Sequence, residues 1–338
     1  MSLIFANVES QFTKDKDLKK DDVKALIDWA SKQPHFPNLT ELQAIMFLHS
    51  CYYRNEIAKT TIDTFFTLRT RYSDMFKNRN PSSASMQKII NHMLVTVLPG
   101  KTPENYAIIF MKFLENNSEN YNFLEELKYA DMVCMLHLYQ EGLSNGFLLV
   151  ADCEELSFGH LLKHNPILIK KFAYYLQEAM PIRLKGMHFF NPPPFMDKLL
   201  ALLKPFLKNE LLNSLHVHNT LESLTKFVPL ECLPKDYGGA EETVSVLHET
   251  IKSRLVEHSN YFDWEETLIV DESKRLKEFE MDDIYGIDGL SPIAHVSDIM
   301  GTCLGSLRRD PTGHQKPSSF KHSSASALEI KVDPHITE

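Results

Sequence analysis

Glu178-Ala179-Met180-Pro181-Ile182-Arg183-Leu184-Lys185-Gly186-Met187-His188-Phe189-Phe190-Asn191-Pro192-Pro193-Pro194-Phe195, then Met196-Asp197-Lys198-Leu199-Leu200-Ala201-Leu202-Leu203-Lys204-Pro205-Phe206-Leu207-Lys208, is the part of the chain from which the rest can be read. Leu184 to Phe190 is strand-like. The proline triplet stops the strand and pre-sets a helix start, because proline lacks an N–H and holds φ near the helical value. Over Phe195 to Leu207 the spacing predicts a helix with Met196, Leu199, Leu200, Leu203 and Leu207 on one broad apolar stripe. Lys198, Lys204 and Lys208 fall largely off it. Leu215 to His218 is short and extended, Leu221 to Phe227 is helical, and Leu233-Pro234-Lys235-Asp236-Tyr237-Gly238-Gly239 closes the stretch.

Upstream, the run Gly146-Phe147-Leu148-Leu149-Val150-Ala151-Asp152 follows a glycine turn and is apolar throughout, as a parallel strand covered on both faces must be. Ala107 to Met111 is a second such run. Helical spacing occupies Leu124 to Tyr139 and Ile167 to Ala179. Strands alternating with helices imply βαβ units and a mostly parallel sheet flanked by helices, an α/β fold. Residues from about 15 to 80 are amphipathic and all-helical. Thr40, with Gln43 three residues on, has the capping-box spacing. The expected division is a small N-terminal helical bundle over 15–90, a ligand-binding domain over 91–250, and an extension over 251–338. Past residue 289 prolines, glycines and a Ser/His stretch predict flexibility.

Of 338 residues, 43% are hydrophobic, ample for a large core, and 45 acidic against 36 basic side chains leave a net charge of −9. No nucleic-acid partner is expected of such a balance without cations gathered on one face. The opening residues lack the basic flank of an export signal, and no run approaches the roughly 18 apolar residues of a membrane span. Cys51, Cys134, Cys153, Cys232 and Cys303 are scattered and odd in number, which reads as free thiols in the cytoplasm. With 12 glycines there is neither a P-loop nor a GxGxxG, and Gly142-Leu143-Ser144-Asn145-Gly146, a Ser between glycines, precedes a strand where a nucleophile elbow follows one, so it is read as a turn. His216 and His218 share a strand face and His188 lies nearby, so a metal site is conceivable. The reading adopted is histidines hydrogen-bonded within the fold, with no metal. Asp152 is read as a loop cap rather than a catalytic acid.

Gln177-Glu178-Ala179, Pro181, Arg183-Leu184-Lys185-Gly186, His188, Asn191, Lys204-Pro205-Phe206, His216, His218 and the closing Leu-Pro-x-x-Tyr-Gly-Gly, in this order over about sixty residues, resemble the CRAL-TRIO lipid-transfer family. What the resemblance implies is a soluble carrier without cofactor or catalytic residues. It would enclose one small hydrophobic ligand, a tocopherol, retinoid or phospholipid, and deliver it between membranes. By matching family pocket positions, the cavity is expected to be lined by Phe147 and Ala151 of one strand and by Phe172, Tyr175 and Leu176 of a helix. Met180, Ile182 and Met187 complete it, with the Met196–Leu207 stripe as a gate above. Tyr175 would offer the ligand a hydrogen bond. Fully burying five gate side chains would hold the lid shut by at most about 8–15 kcal/mol, a cost that acyl chains can offset at a bilayer. Arg183 and Lys185 fall on one strand face, where the resemblance implies a phosphoinositide headgroup site. Cys51, Glu210 and Ser214 stand where the family's tocopherol-transfer branch adds cations, and His49 replaces an arginine. Two rival readings are a lipid-ester hydrolase, which needs a nucleophile, His and an acid converging in the cavity, for instance around Cys153, and a cargo-less interaction module.

Overall fold

A computed structural model describes residues 5–276 and 278. The chain begins with six helices: α1 (Val8–Lys14), α2 (Lys20–Ala30), α3 (Glu41–Ser50), α4 (Asn55–Arg71), α5 (Ser73–Phe76) and α6 (Ala84–His92). The expected capping box closes the start of α3, where Thr40 and Gln43 exchange backbone and side-chain hydrogen bonds of 2.9 and 3.3 Å. Phe47, Phe65 and Phe66, on α3 and α4, meet edge to face at 5.2 Å in the bundle's core.

There follow β1 (Met93–Lys101), β2 (Tyr106–Phe113), α7 (Phe123–Glu141), β3 (Gly146–Asp152), α8 (Phe158–Leu162), α9 (Pro166–Glu178) and β4 (Leu184–Phe190). Then come α10 (Met196–Leu203), α11 (Asn209–Asn213), β5 (Leu215–His218), α12 (Leu221–Leu224), α13 (Val244–Glu257) and α14 (Ser259–Glu265). Asn122 and Asn165 cap α7 and α9, and Pro166 takes the first turn of α9, where its missing N–H costs nothing. The strands form one sheet in the order β1-β2-β3-β4-β5. β2 to β5 are mutually parallel and β1 is antiparallel to β2.

The sequence reading does not anticipate β1. No helix separates it from β2, so strand–helix alternation has no place for it, and its buried run Met93–Leu98 continues directly from α6. The expected helix to Leu207 is also shorter. It stops at Leu203, because Pro205 cannot donate to the helix, and a 3-10 turn spans Lys204–Phe206. α13 runs across residue 250 and buries Ile251 and Leu255. The predicted flexible tail and Cys303 lie outside the described residues.

Two register features place the site. Met111, Ala151 and Phe189 sit side by side across the middle of the sheet, so one small side chain separates two large ones. Between β3 and β4 the pairing shifts from Phe147↔Leu184 to Leu148↔Gly186, which leaves Lys185 as an extra residue. The bulge lets Leu184 and Met187 share one sheet face although three positions separate them.

Candidate lipid cavity and its gate

Alternation along the strands points Ile109, Met111 and Phe113 of β2 and Leu149 and Ala151 of β3 to one face, with Leu184, Met187 and Phe189 of β4 beside them. This face, α7 and α9 enclose a cavity of about 220 Å³. Ile169, Phe172, Ala173 and Leu176 come from α9, and Phe123, Leu127, Ala130 and Cys134 from α7. Leu199, Leu203 and Leu207 close it from the gate segment.

Of the residues expected to line a pocket, Ala151, Phe172, Leu176, Met180, Ile182, Met187, Leu199, Leu203 and Leu207 come together on its wall. Phe147, Tyr175, Met196 and Leu200 do not. Phe147 belongs to the same strand face but lies at the strand's start, edge-on to His137 of α7. Met196 and Leu200 are buried in the packing of α10 outside the lining, as is Leu202, which the stripe leaves out. Tyr175 requires the largest correction. Its hydroxyl receives a hydrogen bond from Arg69 and donates one to Asp131, both at 2.8 Å. Arg69 and Arg79 also bind Glu265, at 2.6 and 2.8 Å, and both pair with Asp131. This buried network ties α4 and the segment after α5 to α7, α9 and α14. The two arginines hold the Glu265 carboxyl below its ordinary range despite burial. A phenol so engaged has no hydrogen left to donate to a ligand, and Tyr175 is not on the cavity wall.

The gate is tethered at both ends. At its entry Asn191 takes a left-handed φ of 50°, and its side-chain amide donates to Asp152 at 2.9 Å. Asp152 also accepts from the Glu154 N–H at 3.0 Å, the capping bond expected of it, and from Lys112 at 2.6 Å and the Tyr237 hydroxyl. One carboxylate thereby joins β2, β3, the gate's entry and the Leu233–Gly239 loop. At the exit, the Gln177 side chain donates to the Phe206 carbonyl at 2.9 Å and accepts from the Lys208 N–H at 2.7 Å. Lys208 pairs with Glu178 beside it.

Arg183 and Lys185 stand on the side away from the cavity-facing Ile182 and Leu184, and both reach the loop after α3. Arg183 donates to the His49 carbonyl at 2.7 Å and its guanidinium lies 4.2 Å from the centre of the Tyr52 ring. Lys185 bonds the Tyr52 hydroxyl at 2.9 Å. Burial and the nearby Arg183 charge push His49 down to about 4, so this imidazole adds no cation near neutral pH. His188 and His218 share a hydrogen bond of 3.0 Å, the in-fold bonding adopted from the sequence, while His216 is placed by stacking on His188.

Glu126 and His164 also lie on the wall, and the sequence reading missed both. A signal existed for Glu126. It sits three residues after Phe123 and four before Ala130, on the apolar stripe of α7. Nothing local marks His164, which precedes the Asn165-Pro166 cap.

With the geometry described, comparison with known proteins identifies the architecture. Residues 91–239 match the CRAL/TRIO domain and residues 15–86 the Pinta-like UBA domain. The chain is 29% identical over 223 residues to the alpha-tocopherol transfer protein-like protein of Mus musculus, an alignment spanning 64% of each chain. It is 26% identical over 234 residues to Clavesin-1 of the same species, spanning 68% of this chain and 66% of that one. The chain thus spans just under two thirds of the length of its transfer-protein-like relatives. The crystal structure of Sfh5 superposes with a TM-score of 0.44 at 12% identity, covering 76% of this chain and 100% of that one. The family model at 91–239 and the five-stranded sheet it overlies assign the chain a CRAL/TRIO domain behind a helical UBA-like region, as the 177–239 stretch implies.

Proposed function

We propose that this chain carries one small hydrophobic molecule in the cavity beneath Leu199, Leu203 and Leu207 and passes it between membranes. The observation that carries this reading is an apolar hollow of about 220 Å³ between the sheet, α7, α9 and the gate segment. Interiors without a guest do not keep such voids cheaply. The helical region 15–90 braces the 91–250 lipid-binding domain, and 251–338 is an extension. The carrier works in the cytoplasm and touches membranes transiently. No described helix is long and apolar enough to cross one. Tocopherols, retinoids and phospholipids remain the candidate cargo. Arg183 and Lys185, with Tyr52 between them, serve as the phosphoinositide contact.

Two features favour carriage over hydrolysis. Burial and the adjacent Asp152 push the Cys153 thiol up to about 12, the reverse of an activated nucleophile. Ser157, His160, His92 and Glu115 do form a hydrogen-bonded chain, with links of 2.8, 2.7 and 2.7 Å. None of the four lines the cavity, and Ser157 is the N-cap residue of α8. An open cavity likewise disfavours a module without cargo.

Native mass spectrometry of the protein purified from its own tissue, followed by lipid extraction, tests the reading. A reproducible one-to-one hydrophobic adduct is expected, and protein that neither retains nor takes up any lipid overturns it. Flotation with liposomes, with and without phosphoinositides, tests the headgroup contact. Equal flotation of the native chain and of Arg183→Ala with Lys185→Ala removes it.

A further inference from the structure

Five charged or imidazole side chains reach the wall of this largely apolar cavity: Lys112, Glu126, Asp131, Asp152 and His164. Three are saturated by protein. Lys112 is bound by Asp152 and Glu154, Asp131 by two arginines and Tyr175, and Asp152 by four donors. The other two are not. Glu126 accepts through Oε2 from the Tyr121 hydroxyl, and among the described residues its Oε1 has no partner. His164 places Nδ1 2.9 Å from the His160 carbonyl oxygen. A carbonyl only accepts, so Nδ1 carries the hydrogen and Nε2 is left as an acceptor. Nε2 too has no partner among the described residues. Both side chains are half-buried and both lie on the cavity wall.

The two groups belong to one end of the cavity. Tyr121, which bonds Glu126, has its ring 6.0 Å from that of His164, and His164 stacks on Phe123 at 4.4 Å. Phe113, also on the wall, meets Tyr121 edge-on at 5.6 Å. Burial pushes Glu126 up to about 7 and His164 down to about 4. Near neutral pH the imidazole is therefore an uncharged acceptor, and the carboxyl is divided between acid and carboxylate. When an apolar guest fills the cavity and displaces water from it, an acceptor and a carboxyl that each keep one atom open there are costly unless the guest bonds them. A hydroxyl does so, donating to one and accepting from the other when that carboxyl is protonated. An anionic end group does not suit the place, because Glu126 stands there and the ammonium of Lys112 is already held between two carboxylates.

We propose that Glu126 and His164 form the polar seat of the cavity and select an apolar ligand that ends in a neutral hydroxyl, an alcohol or a phenol, over its ether and its carboxylic acid. This rests on the carrier reading and adds the class of cargo and its orientation, hydroxyl toward Tyr121 and Phe123. Tyr175, given that role from the sequence, is excluded from it by its bonds to Arg69 and Asp131.

The test uses the full chain after lipid extraction, with diphenylhexatriene as an apolar fluorescent reporter of the cavity. Farnesol, farnesyl methyl ether and farnesoic acid are compared as displacers at neutral pH. Farnesol is expected to displace the reporter on the order of tenfold more tightly than the ether, which leaves a buried acceptor unpaired, and more tightly than the acid. In Glu126→Leu with His164→Phe the reporter still binds, and the alcohol's advantage over the ether falls to about twofold or less. Reporter binding with equal displacement by alcohol and ether, or with the acid strongest, overturns the polar seat while the carrier stands. Failure of the reporter and all three displacers to bind overturns the carrier itself. The native chain's ranking decides the matter even where the double variant does not fold.

Discussion

Ala151→Leu separates a hollow interior from a solid one by the sign of its effect. Ala151 lies at the centre of the sheet between Met111 and Phe189, and all three face the cavity. Leucine adds three carbons. In a filled core they would force neighbours off their rotamers, at a cost of about 1–3 kcal/mol. Pointing into about 220 Å³ of empty apolar space, they bury surface without displacing anything. At roughly 0.8 kcal/mol per buried methylene the expected gain is about 2 kcal/mol. The assay is urea unfolding of delipidated protein, read as a shift in midpoint at constant slope. For a unit of this size the same gain raises the melting temperature by about 4–8 °C. The leucine also occupies ligand space, so affinity for diphenylhexatriene falls as stability rises. Destabilisation by 1 kcal/mol or more, with binding unchanged, would refute the assignment of this face to a cavity.

Three further outcomes follow from the side chains around it. Tyr175→Phe removes a donor from Asp131 and an acceptor from Arg69, so unfolding should show a loss of about 1–3 kcal/mol, while ligand affinity, by reporter titration, stays the same. Gln177→Ala removes two hydrogen bonds at the gate's exit, one to the Phe206 carbonyl and one from the Lys208 N–H, and at about 1 kcal/mol each stopped-flow transfer to vesicles should be faster by on the order of thirtyfold. Glu126 has a folded-state pKa of about 7, above its unfolded value, so its neutral form favours folding. That contribution is complete below about pH 4.3 and is lost as pH rises through about 7, roughly 3–4 kcal/mol in all. Glu126→Gln keeps an acceptor for Tyr121 but does not ionise, so its stability relative to the native chain should climb between pH 5 and 8 and then level off. A flat difference across that range would mean that the carboxyl is not held in the apolar wall.

Local pattern carried much of the architecture. The apolar run Gly146–Asp152, the Thr40–Gln43 capping spacing and the stripe ahead of Lys204 each state their own secondary structure, because backbone chemistry and side-chain period act over a few residues. The strand–helix order then implied a parallel sheet, since parallel strands need a crossover between them. β1 escaped because an antiparallel neighbour needs no crossover and so leaves no spacing to read.

Nine of the expected wall positions converge on the cavity, but what makes it a cavity is not written in any one segment. A void is the difference between the space that packed elements enclose and the volume their side chains fill, and both depend on residues far apart in the chain. The same holds for polarity. Tyr175 lies on a helix that reads as pocket-facing, yet Arg69, Asp131 and Glu265, drawn from widely separated parts of the chain, meet around its hydroxyl and withdraw it. Glu126 and His164 read as ordinary helix and loop residues until folding places both on the wall of the hollow. The sequence by itself determined which elements form and in what order; only the tertiary structure decided where the chain stays empty and which polar atoms face that emptiness.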